Sequence, residues 1–561
     1  MFSPITQRSP KVRFLYLGIY ALLTLGALTM ILPFLIMLSG SVEPGTRTKP
    51  ALFPSWMATD EVFWNRYIET RYHAVPDLLR MAWSDPEANF RSGRQVTEEA
   101  ASVASWKQFL KETRPGPEWF TPGFLRQNTR MPSFTAIAFR RWLLDQYQGD
   151  LSLLNATLQT RFHRITAIQP PTVHLIGPKV ARNRLMQKYR EFCATLPPTR
   201  LIPWNVGGYY RAVYLPRALG SDVAAYNQKY GTHHASYREV SFPAQAPATG
   251  REEWFFFVSK ILRPDFVELT ESGNAAWAAT GGVREGFIRH RAKPEHLRVI
   301  SIDLLFAAWA SRHGLAELEI PQRELDRIAF EEESGFWRWQ FLTINYRQVL
   351  DEILFHGRAI SNTAILIVLC VAGALIVNPL AAYALSRFKL KQTYFILLFC
   401  LATISFPAEV TMIPVFLQMK EFHLLNTFGA LVLPGLANGF SIFLLKGFFD
   451  SLPKELYEAA QLDGASEWMM FWQITMNLSK PILAVIALGA FTSAYGAFFY
   501  ALILAPDPKM WTVMVHIYQL RLSVDPPVVY ASLIVTAIPT LLMFTFCQNL
   551  ILRGIVVPSE K

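Results

Sequence analysis

The residues of this 561-residue chain that could do chemistry do not form a catalytic set. The sequence lacks the motifs GxxxxGK[ST], helix-opening GxGxxG, HExxH and GxSxG. Their absence excludes a phosphate-binding loop and the common hydrolase sites. His233, His234 and His423 have no companion ligands at metal spacing, so no metal site is predicted. Adjacent acids such as Glu252 and Glu253 are typical of solvated charge. We therefore expect no enzyme, no catalytic residue and no cofactor bound by this chain.

The segment with the most functional pattern is 451–481, SLPKELYEAAQLDGASEWMMFWQITMNLSKP, which is too polar to cross a membrane. Ser451 can cap a helix whose first turn contains Pro453, and Asp463-Gly464 then turns the chain. Ser466 can open a second short helix. The pattern predicts two short helices at the membrane surface, with small residues at the bend, and such a knob could seat closely in a cleft of another protein.

The remaining composition is that of a membrane protein, with 51% hydrophobic, 14% aromatic and 17% charged residues. An apolar helix of about 20 residues crosses a bilayer, and the chain contains six apolar runs of that length. We predict six transmembrane helices at about 14–38, 360–386, 393–418, 426–449, 481–505 and 530–552. The net charge of +11 could indicate nucleic acid, but the basic residues form no stripe, and no nucleic-acid partner is predicted.

The basic residues of the short connections all fall on one side of this six-span frame, which identifies that side as the cytoplasm. Both termini are therefore predicted to be cytoplasmic, in a multi-pass membrane protein. The residues that set this orientation are Arg8, Lys11 and Arg13, then Arg387, Lys389 and Lys391, then Lys446, Lys454 and Lys480, and finally Arg553 and Lys561.

The polar segment 40–355 is predicted to be an inserted, soluble, mainly α-helical domain on the extracytoplasmic side. The tryptophans of this segment could stack on sugars, but core packing is the simpler interpretation. They include Trp64, Trp106, Trp204, Trp254 and Trp277. Residues 139–162 are similar to a helix-turn segment of some β-galactosidase-like glycosidases. A pattern within 154–170 recurs about 72 residues later, by duplication or by chance. The matched positions are Leu154-Asn155, Thr160, Phe162 and 168–170 with Tyr226-Asn227, Thr232, Tyr237 and Phe242-Pro243.

EAAQLDGA at Glu458–Ala465, continued by Phe471, Ile474 and Pro481, resembles the EAA loop of ABC importer permeases. The flanking segments resemble the carbohydrate permeases of the MalG type, over about 13–45 and 355–561. The resemblance implies an α-helical membrane protein with the six-helix MetI/MalG-like fold: a cytoplasmic N-terminus at 1–13, the first span at 14–38, the insertion at 40–355 and a permease core at 356–561. Asn477 replaces the first of the two prolines usual in the loop.

The resemblance implies a permease subunit that imports a sugar or oligosaccharide across the bacterial inner (plasma) membrane by alternating access. Its implied partners are a MalF-like second permease, an extracytoplasmic solute-binding protein, the lipid bilayer and an ATPase dimer, which would bind the ATP and Mg²⁺. The residues implied to couple this chain to the ATPases are Glu458, Ala459, Ala460, Asp463, Gly464, Ala465 and Phe471. Only glycine readily adopts the positive φ that the bend at Gly464 could require.

Polar residues inside the predicted spans are candidates for the substrate path, because burying them in lipid is costly. Glu409, Asn378 and Tyr495 are the main candidates, with Gln418, Asn438 and Lys446 as weaker ones. Helix packing or snorkelling to the interface explains such residues equally well.

Two other classes of protein stay open at this point. An ion-coupled secondary carrier would use Glu409 as its coupling site, although such carriers usually show internal transmembrane repeats. A membrane-tethered carbohydrate-binding or glycosidase-like protein would use the spans only as an anchor.

Overall fold

The computed structural model describes residues 10–44, 51–93, 100–123, 134–162, 168–178, 183–197, 200–315, 318–354, 358–388, 390–404, 407–522 and 524–554. The chain divides into two compact units. We call Met1–Gln348 with Asp525–Val528 the N-terminal unit, and Val349–Val524 with Val529–Lys561 the C-terminal unit.

The N-terminal unit is mainly helical, with two small antiparallel sheets. β1 (Phe120–Thr121) pairs with β2 (Ile202–Pro203), and β3 (Val267–Leu269) pairs with β4 (Leu297–Val299). The helices up to the division are α1 Pro10–Ser41, α2 Asp60–Arg71, α3 Pro76–Trp83, α4 Ala100–Thr113, α5 Phe134–Gln146, α6 Leu151–Leu158, α7 Arg184–Thr195, α8 Val206–Tyr209, α9 Leu215–Leu219, α10 Ala224–Tyr230, α11 Arg251–Phe256, α12 Glu271–Thr280, α13 Arg284–His290, α14 Ile302–Arg312, α15 Gln322–Glu332 and α16 Ser334–Leu354.

Only helices and short helical turns occur among the described residues beyond that point. The helices are α17 Ala359–Arg387, α18 Thr393–Ile404, α19 Ala408–Glu421, α20 Phe428–Val432, α21 Gly439–Asp450, α22 Lys454–Leu462, α23 Glu467–Met469, α24 Met476–Leu478, α25 Lys480–Tyr495, α26 Phe498–Leu504, α27 Val513–Leu520 and α28 Pro526–Gly554. A π-helical turn at Met470–Thr475 joins α23 to α24.

Within the described residues, three helices are long and apolar enough to cross a membrane, or up to five spans exist if each bent pair of helices counts as one. The three are Phe14–Ser41, Ala359–Arg387 and Pro526–Gln548, which match the first, second and sixth predicted spans. The fourth predicted span is a pair bent by 49° between Gly435 and Gly439.

The third and fifth predicted spans are each interrupted. The third consists of α18 and α19, with residues 405–406 between them outside the described residues, and α19 starts directly after Pro407. The fifth consists of α25 and α26, separated by Gly496 and Ala497. The structure therefore supports a helical membrane protein, while the count of six spans stays a prediction.

Aromatic rings form the core of the N-terminal unit. The rings of Trp56, Phe63 and Phe341 pack against one another with centroids 5.7 to 5.8 Å apart. Each such aromatic pair stabilises the fold by about 0.5–1.5 kcal/mol more than the burial of its apolar surface alone. Four of the five tryptophans that could have stacked on sugars are buried in this unit: Trp64, Trp106, Trp204 and Trp254. Trp277 is half-buried. The burial agrees with the core-packing interpretation.

A fully buried carboxylate, that of Asp326, ties three elements of this core together. Its oxygens accept hydrogen bonds from Arg71 Nε at 2.7 Å, Tyr72 Oη at 2.5 Å, Trp83 Nε1 at 2.9 Å and Gln322 Nε2 at 2.8 Å. A buried charge is tolerated when it is paired and its lone pairs are satisfied. Asp326 therefore fixes α15 against α2 and α3.

The loop after α6 is organised by one asparagine. Asn155 Oδ1 accepts from Thr160 Oγ1 at 2.8 Å and from Phe162 N at 2.9 Å, while its Nδ2 donates to the Phe162 carbonyl at 2.9 Å. The helix itself is capped by Asp150 and ends at Gln159, whose φ of 57° is left-handed. The side chain of Asn155 thus substitutes for the backbone partners that the loop lacks.

The loop after α10 repeats this arrangement 72 positions later. Asn227 Oδ1 accepts from Thr232 Oγ1 at 2.8 Å and from His234 N at 3.0 Å, and its Nδ2 donates to the His234 carbonyl at 2.8 Å. Asp222 accepts from the first turn of this helix, which ends at Gly231 with a φ of 64°. The spacing noticed in the sequence therefore marks a repeated helix-and-loop structure.

One part of the predicted match is wrong in detail. The sequence comparison paired Phe162 with Tyr237, but the hydrogen bonds make His234 the counterpart of Phe162. Tyr237 instead donates from its hydroxyl to the carbonyl oxygens of Gly220 and Asp222. Aromatic identity was the misleading signal, because the repeated position is defined by its backbone groups.

The C-terminal end of α1 is held by α16. Asn345 Nδ2 donates to the carbonyl oxygens of Ser41 at 2.8 Å and Glu43 at 2.9 Å. The hydroxyls of Ser41 and Tyr346 lie 2.7 Å apart. Because a helix end leaves its last carbonyl groups without partners within the helix, these bonds fix the point at which the first apolar helix ends.

Candidate functional site

The loop 451–481 forms two short helical segments joined at a glycine. α22 begins directly after Pro453, whose fixed φ suits a helix start. At its other end Gly464 has a φ of 78°, and Ala465 N donates back to the Ala460 carbonyl at 2.9 Å. This is a helix end of the Schellman type, for which glycine is the preferred residue. Ser466 then caps α23, accepting from the backbone three residues on at 3.3 Å.

The inner side of this loop is bonded to itself and to the end of α17. The hydroxyls of Tyr457 and Thr475 lie 2.8 Å apart, which joins the two short segments. The Arg387 guanidinium lies 3.6 Å from the centre of the Tyr457 ring, a cation–π contact. Tyr383 Oη donates to Glu467 at 2.8 Å. These contacts join the loop to the end of α17.

The outer side of the loop exposes large apolar side chains. Leu462, at the end of α22, is 89% exposed, and Trp468, in α23, is 61% exposed. Apolar side chains grouped at a surface indicate contact with another protein or with lipid. The other members of this group are Leu456, Met469 and Trp472.

The residues implied by the resemblance to couple the chain to ATPases occupy both sides of the loop. Exposed are Glu458, Ala459, Asp463 and Gly464; half-buried are Ala460 and Ala465. Phe471 is buried, with its ring centroid 5.2 Å from that of Tyr383. Its position makes it part of the anchor under the loop, while the other six lie along the bend. Their role in coupling stays a prediction.

Asn477 replaces the first of the two prolines usual in the EAA loop that this segment resembles, a change that would predict a looser exit from the loop. The Asn477 side chain donates from Nδ2 to the Gln473 carbonyl at 2.8 Å, and Ser479 N donates to the Thr475 carbonyl at 3.0 Å. The chain then bends by 82° between Leu478 and Lys480 into α25. Hydrogen bonds therefore hold the exit from the loop at Asn477.

A cavity of about 670 Å³ opens within the C-terminal unit, between α17, α20, α21 and α25. The described residues that line it include no charged side chain. Its polar groups are amides and hydroxyls, which suit a neutral polar solute. These groups belong to Asn378, Thr403, Thr411, Asn438, Ser441, Ser493 and Tyr500.

Asn378, a predicted substrate-path residue, lies in the wall of this cavity and holds a helix break. Its Oδ1 accepts from Asn438 N at 2.8 Å, and its Nδ2 donates to the Ala374 carbonyl at 3.0 Å. Asn438 in turn caps α21, accepting from Ser441 N at 2.9 Å. The amide of Asn378 therefore satisfies backbone that is exposed where α20 and α21 separate, as irregular backbone in a membrane requires.

The other intramembrane candidates lie elsewhere. The Tyr495 hydroxyl donates to the Thr536 carbonyl at 2.5 Å, a bond between α25 and α28, and Tyr495 is not among the residues that line the cavity. Lys446 forms an ion pair one turn along its own helix, and Gln418 is exposed. The side chain of Glu409 lies outside the described residues.

Several residues of this site carried no distinct sequence signal. Ser441, Ser493 and Tyr500 line the cavity, but a hydroxyl in an apolar helix often bonds only a carbonyl of that helix. Arg387 was assigned to the basic side of the membrane by its charge alone, and its contact with Tyr457 depends on a residue 70 positions away. Only the assembled helices bring these groups together.

Residues 377–556 match the family described as binding-protein-dependent transport system inner membrane component. The Streptomyces coelicolor diacetylchitobiose uptake system permease protein NgcG is 30% identical over 199 residues, which are 34% of this chain and 66% of that protein. The Bacillus subtilis probable ABC transporter permease protein YurM is 32% identical over 36% of this chain and 68% of its own length. The sn-glycerol-3-phosphate transport system permease protein UgpE of Yersinia enterocolitica is 31% identical over 36% of this chain and 74% of its own length.

These relatives are permease components of transport systems, and the matched residues include both the loop 451–481 and most of the cavity wall. The family is one of multi-pass membrane components, in agreement with the apolar helices of this chain. The chain therefore belongs to the family of inner membrane components of binding-protein-dependent transport systems, and it is a transport permease subunit rather than an enzyme.

Proposed function

We propose that this chain is one of the two permease subunits of an ABC importer, and that the loop 451–481 receives the motion of separate ATPase subunits. The structure of that loop carries the proposal. Its inner side is bonded to α17 through Tyr383 and Arg387, while its outer side presents Leu462 and Trp468 to a partner. A surface that is apolar outside and hydrogen-bonded inside can bind a moving partner and pass its displacement to a membrane helix.

The proposed substrate is a sugar or oligosaccharide. The cavity of about 670 Å³ is large enough for an oligosaccharide, and its amide and hydroxyl groups match a polyhydroxylated, uncharged solute. The names of the relatives agree, since NgcG belongs to a diacetylchitobiose uptake system.

The proposed assembly follows from the same topology. A second, MalF-like permease subunit would complete the path, and two ATPase subunits would hold the ATP and Mg²⁺ on the cytoplasmic side with the loop and both termini. The insertion 40–355 would face the extracytoplasmic side, where a solute-binding protein delivers the substrate. The basic residues of the short connections support this orientation.

The coupling role is tested by Gly464→Asp in the assembled transporter in proteoliposomes. We expect normal insertion and ATP hydrolysis but little substrate uptake, because the variant adds a charge at the exposed bend and strains its left-handed backbone. Gly314→Asp is the matched control, since Gly314 also has a positive φ with open space around an added Cβ. Wild-type uptake by Gly464→Asp would refute the coupling role.

The cavity is tested separately by Ser493→Phe, which fills it without touching the loop. Uptake of diacetylchitobiose, with other neutral oligosaccharides as competitors, should fall strongly in this variant. Co-purification with the ATPase subunits should remain, unlike in a loop variant. Unchanged uptake by Ser493→Phe would exclude the cavity as the sugar path.

A further inference from the structure

A second cavity, of about 220 Å³, lies within the N-terminal unit, between the end of α2, the start of α5, the end of α7 and one face of α16. We call it the arginine cavity, because four arginines line it and none of its described lining residues is an aspartate or glutamate. The arginines are Arg71, Arg141, Arg200 and Arg347, and the uncharged groups beside them include Gln340, Phe192, Phe336 and Trp337.

The charge of this lining is only partly neutralised by neighbours. Arg71 is paired with Asp326 at 2.7 Å. The buried Nε of Arg200 meets no hydrogen-bond acceptor among the described residues, and the carboxylate of Glu333 lies 4.0 Å from it. Arg347 Nη1 donates to Gln340 Oε1 at 3.3 Å, which is a neutral partner. Because arginine remains protonated at all relevant pH values, the cavity carries net positive charge.

The walls between these charges are apolar. The Arg200 guanidinium lies 4.5 Å from the centre of the Phe336 ring, and Trp337 and Ile344 continue the apolar surface along α16. Guanidinium groups bind phosphate and carboxylate oxygens through paired N–H donors. The arrangement therefore suits an oxyanion attached to an apolar body, rather than a free inorganic ion.

The position of the cavity favours one source of such a molecule. Trp337, Ile344 and Arg347 lie on one face of α16, so that the cavity follows this helix for about 15 Å at 1.5 Å per residue. Asn345, between the last two, is bonded to the end of the apolar helix α1 at Ser41. One end of the cavity thus lies at the level where that span leaves the hydrocarbon and phospholipid headgroups begin.

We propose that the arginine cavity binds the phosphate group of an anionic phospholipid, with Arg200 and Arg347 as the main ligands of the phosphate. The apolar part of the lipid would contact the wall formed by Phe336 and Trp337. A soluble organic phosphate or carboxylate shares this chemistry and is the other source of the anion. The site goes beyond the proposed function, since it lies in the insertion and requires neither the ATPases nor the sugar path.

The test uses the full chain in dodecyl maltoside micelles, with binding followed by native mass spectrometry. The probes are phosphatidylglycerol, diacylglycerol as the matched lipid without phosphate, and glucose 6-phosphate as the soluble anion. The variants are the double substitution Arg200→Gln with Arg347→Gln, and Ala138→Phe, which fills the cavity without changing its charge. Arg251→Gln is the control, because Arg251 is an exposed arginine outside the cavity.

We expect phosphatidylglycerol to bind and diacylglycerol not to bind. The double arginine variant should weaken binding by about tenfold or more, the loss expected for charged hydrogen bonds. Ala138→Phe should weaken it by occupying the space of the ligand, and the control should leave it unchanged. Displacement by glucose 6-phosphate with the same sensitivity to the variants would keep the oxyanion site but overturn its assignment to lipid. Equal binding of both lipids, or unchanged binding by Ala138→Phe, would overturn the proposal even if the double variant fails to fold. Arg347→Lys, which retains the charge, should bind more tightly than Arg347→Gln.

Discussion

The N-terminal and C-terminal units bury different kinds of groups. The twelve largest fully buried side chains, all Trp, Tyr or Phe, belong to the N-terminal unit, and its buried charge is met by four donors. In the C-terminal unit, the span Ala359–Arg387 has only 17% of its most apolar window buried, and the amides of Asn378 and Asn438 are hydrogen-bonded at a break between helices. Polar contacts therefore specify a fixed core in one unit, whereas in the other they join helices whose remaining surface is left for lipid and partner chains.

The largest loss of stability is expected for Asp326→Ala, in the N-terminal unit. Removing this carboxylate leaves Arg71 as a buried, uncompensated charge and three other donors without their acceptor. We expect the free energy of unfolding of the N-terminal unit to fall by about 3–5 kcal/mol. Denaturant unfolding of the full chain in detergent, followed by tryptophan fluorescence, would measure the loss.

Asp60→Ala is the control for this prediction. Asp60 is also paired with an arginine, Arg338, but the pair is exposed. Exposed ion pairs contribute little to stability, so the midpoint of unfolding should scarcely move. Similar losses for the two variants would show that the N-terminal unit is not organised around its buried charge.

The sequence predicted the elements of this chain better than the contacts between them. Spans that are continuous apolar helices, such as Ala359–Arg387, follow directly from length and hydropathy, and the bend at Gly464 follows from a motif. The Asp326 hub joins residues more than 240 positions apart, which no local pattern can indicate. The breaks at 435–439 and 496–497 were missed because apolar residues continue on both sides of them, while side-chain amides or short turns satisfy the backbone.

A pH-dependent loss of stability is predicted for the N-terminal unit, at His73. Burial lowers the pKa of His73 from 6.5 to about 4, so the folded protein holds this ring neutral while the unfolded chain is protonated below pH 6.5. Stability is therefore fully present above pH 6.5 and falls as the pH drops to about 4, by about 3 kcal/mol for this group. His73→Asn, which tolerates the φ of 49°, should flatten the profile. Parallel profiles for the variant and the wild type would contradict the assignment to His73.

The two repeated loops of the N-terminal unit should contribute to its stability independently, each through one asparagine side chain. Asn155→Ala and Asn227→Ala each remove three side-chain hydrogen bonds and should each cost about 1–3 kcal/mol. Leu154 and Tyr226, beside them, belong to separate core clusters, so the double variant should show additive losses. Thermal unfolding of the single and double variants would measure both. A strong effect at only one of the two sites would show that the motifs are not equivalent.

The smallest effect on stability is predicted in the C-terminal unit, for Tyr457→Phe. The variant loses the bond to Thr475, worth about 1 kcal/mol, but retains the ring under the Arg387 guanidinium. If polar contacts in this unit serve motion rather than core stability, substrate uptake per ATP hydrolysed should fall although the melting temperature scarcely changes. Proteoliposome uptake and ATPase rates, measured with Tyr518→Phe as a tyrosine control outside the loop, would separate the two effects. A large loss of stability with intact uptake would remove the distinction between the units, because Tyr457 would then act as Asp326 does.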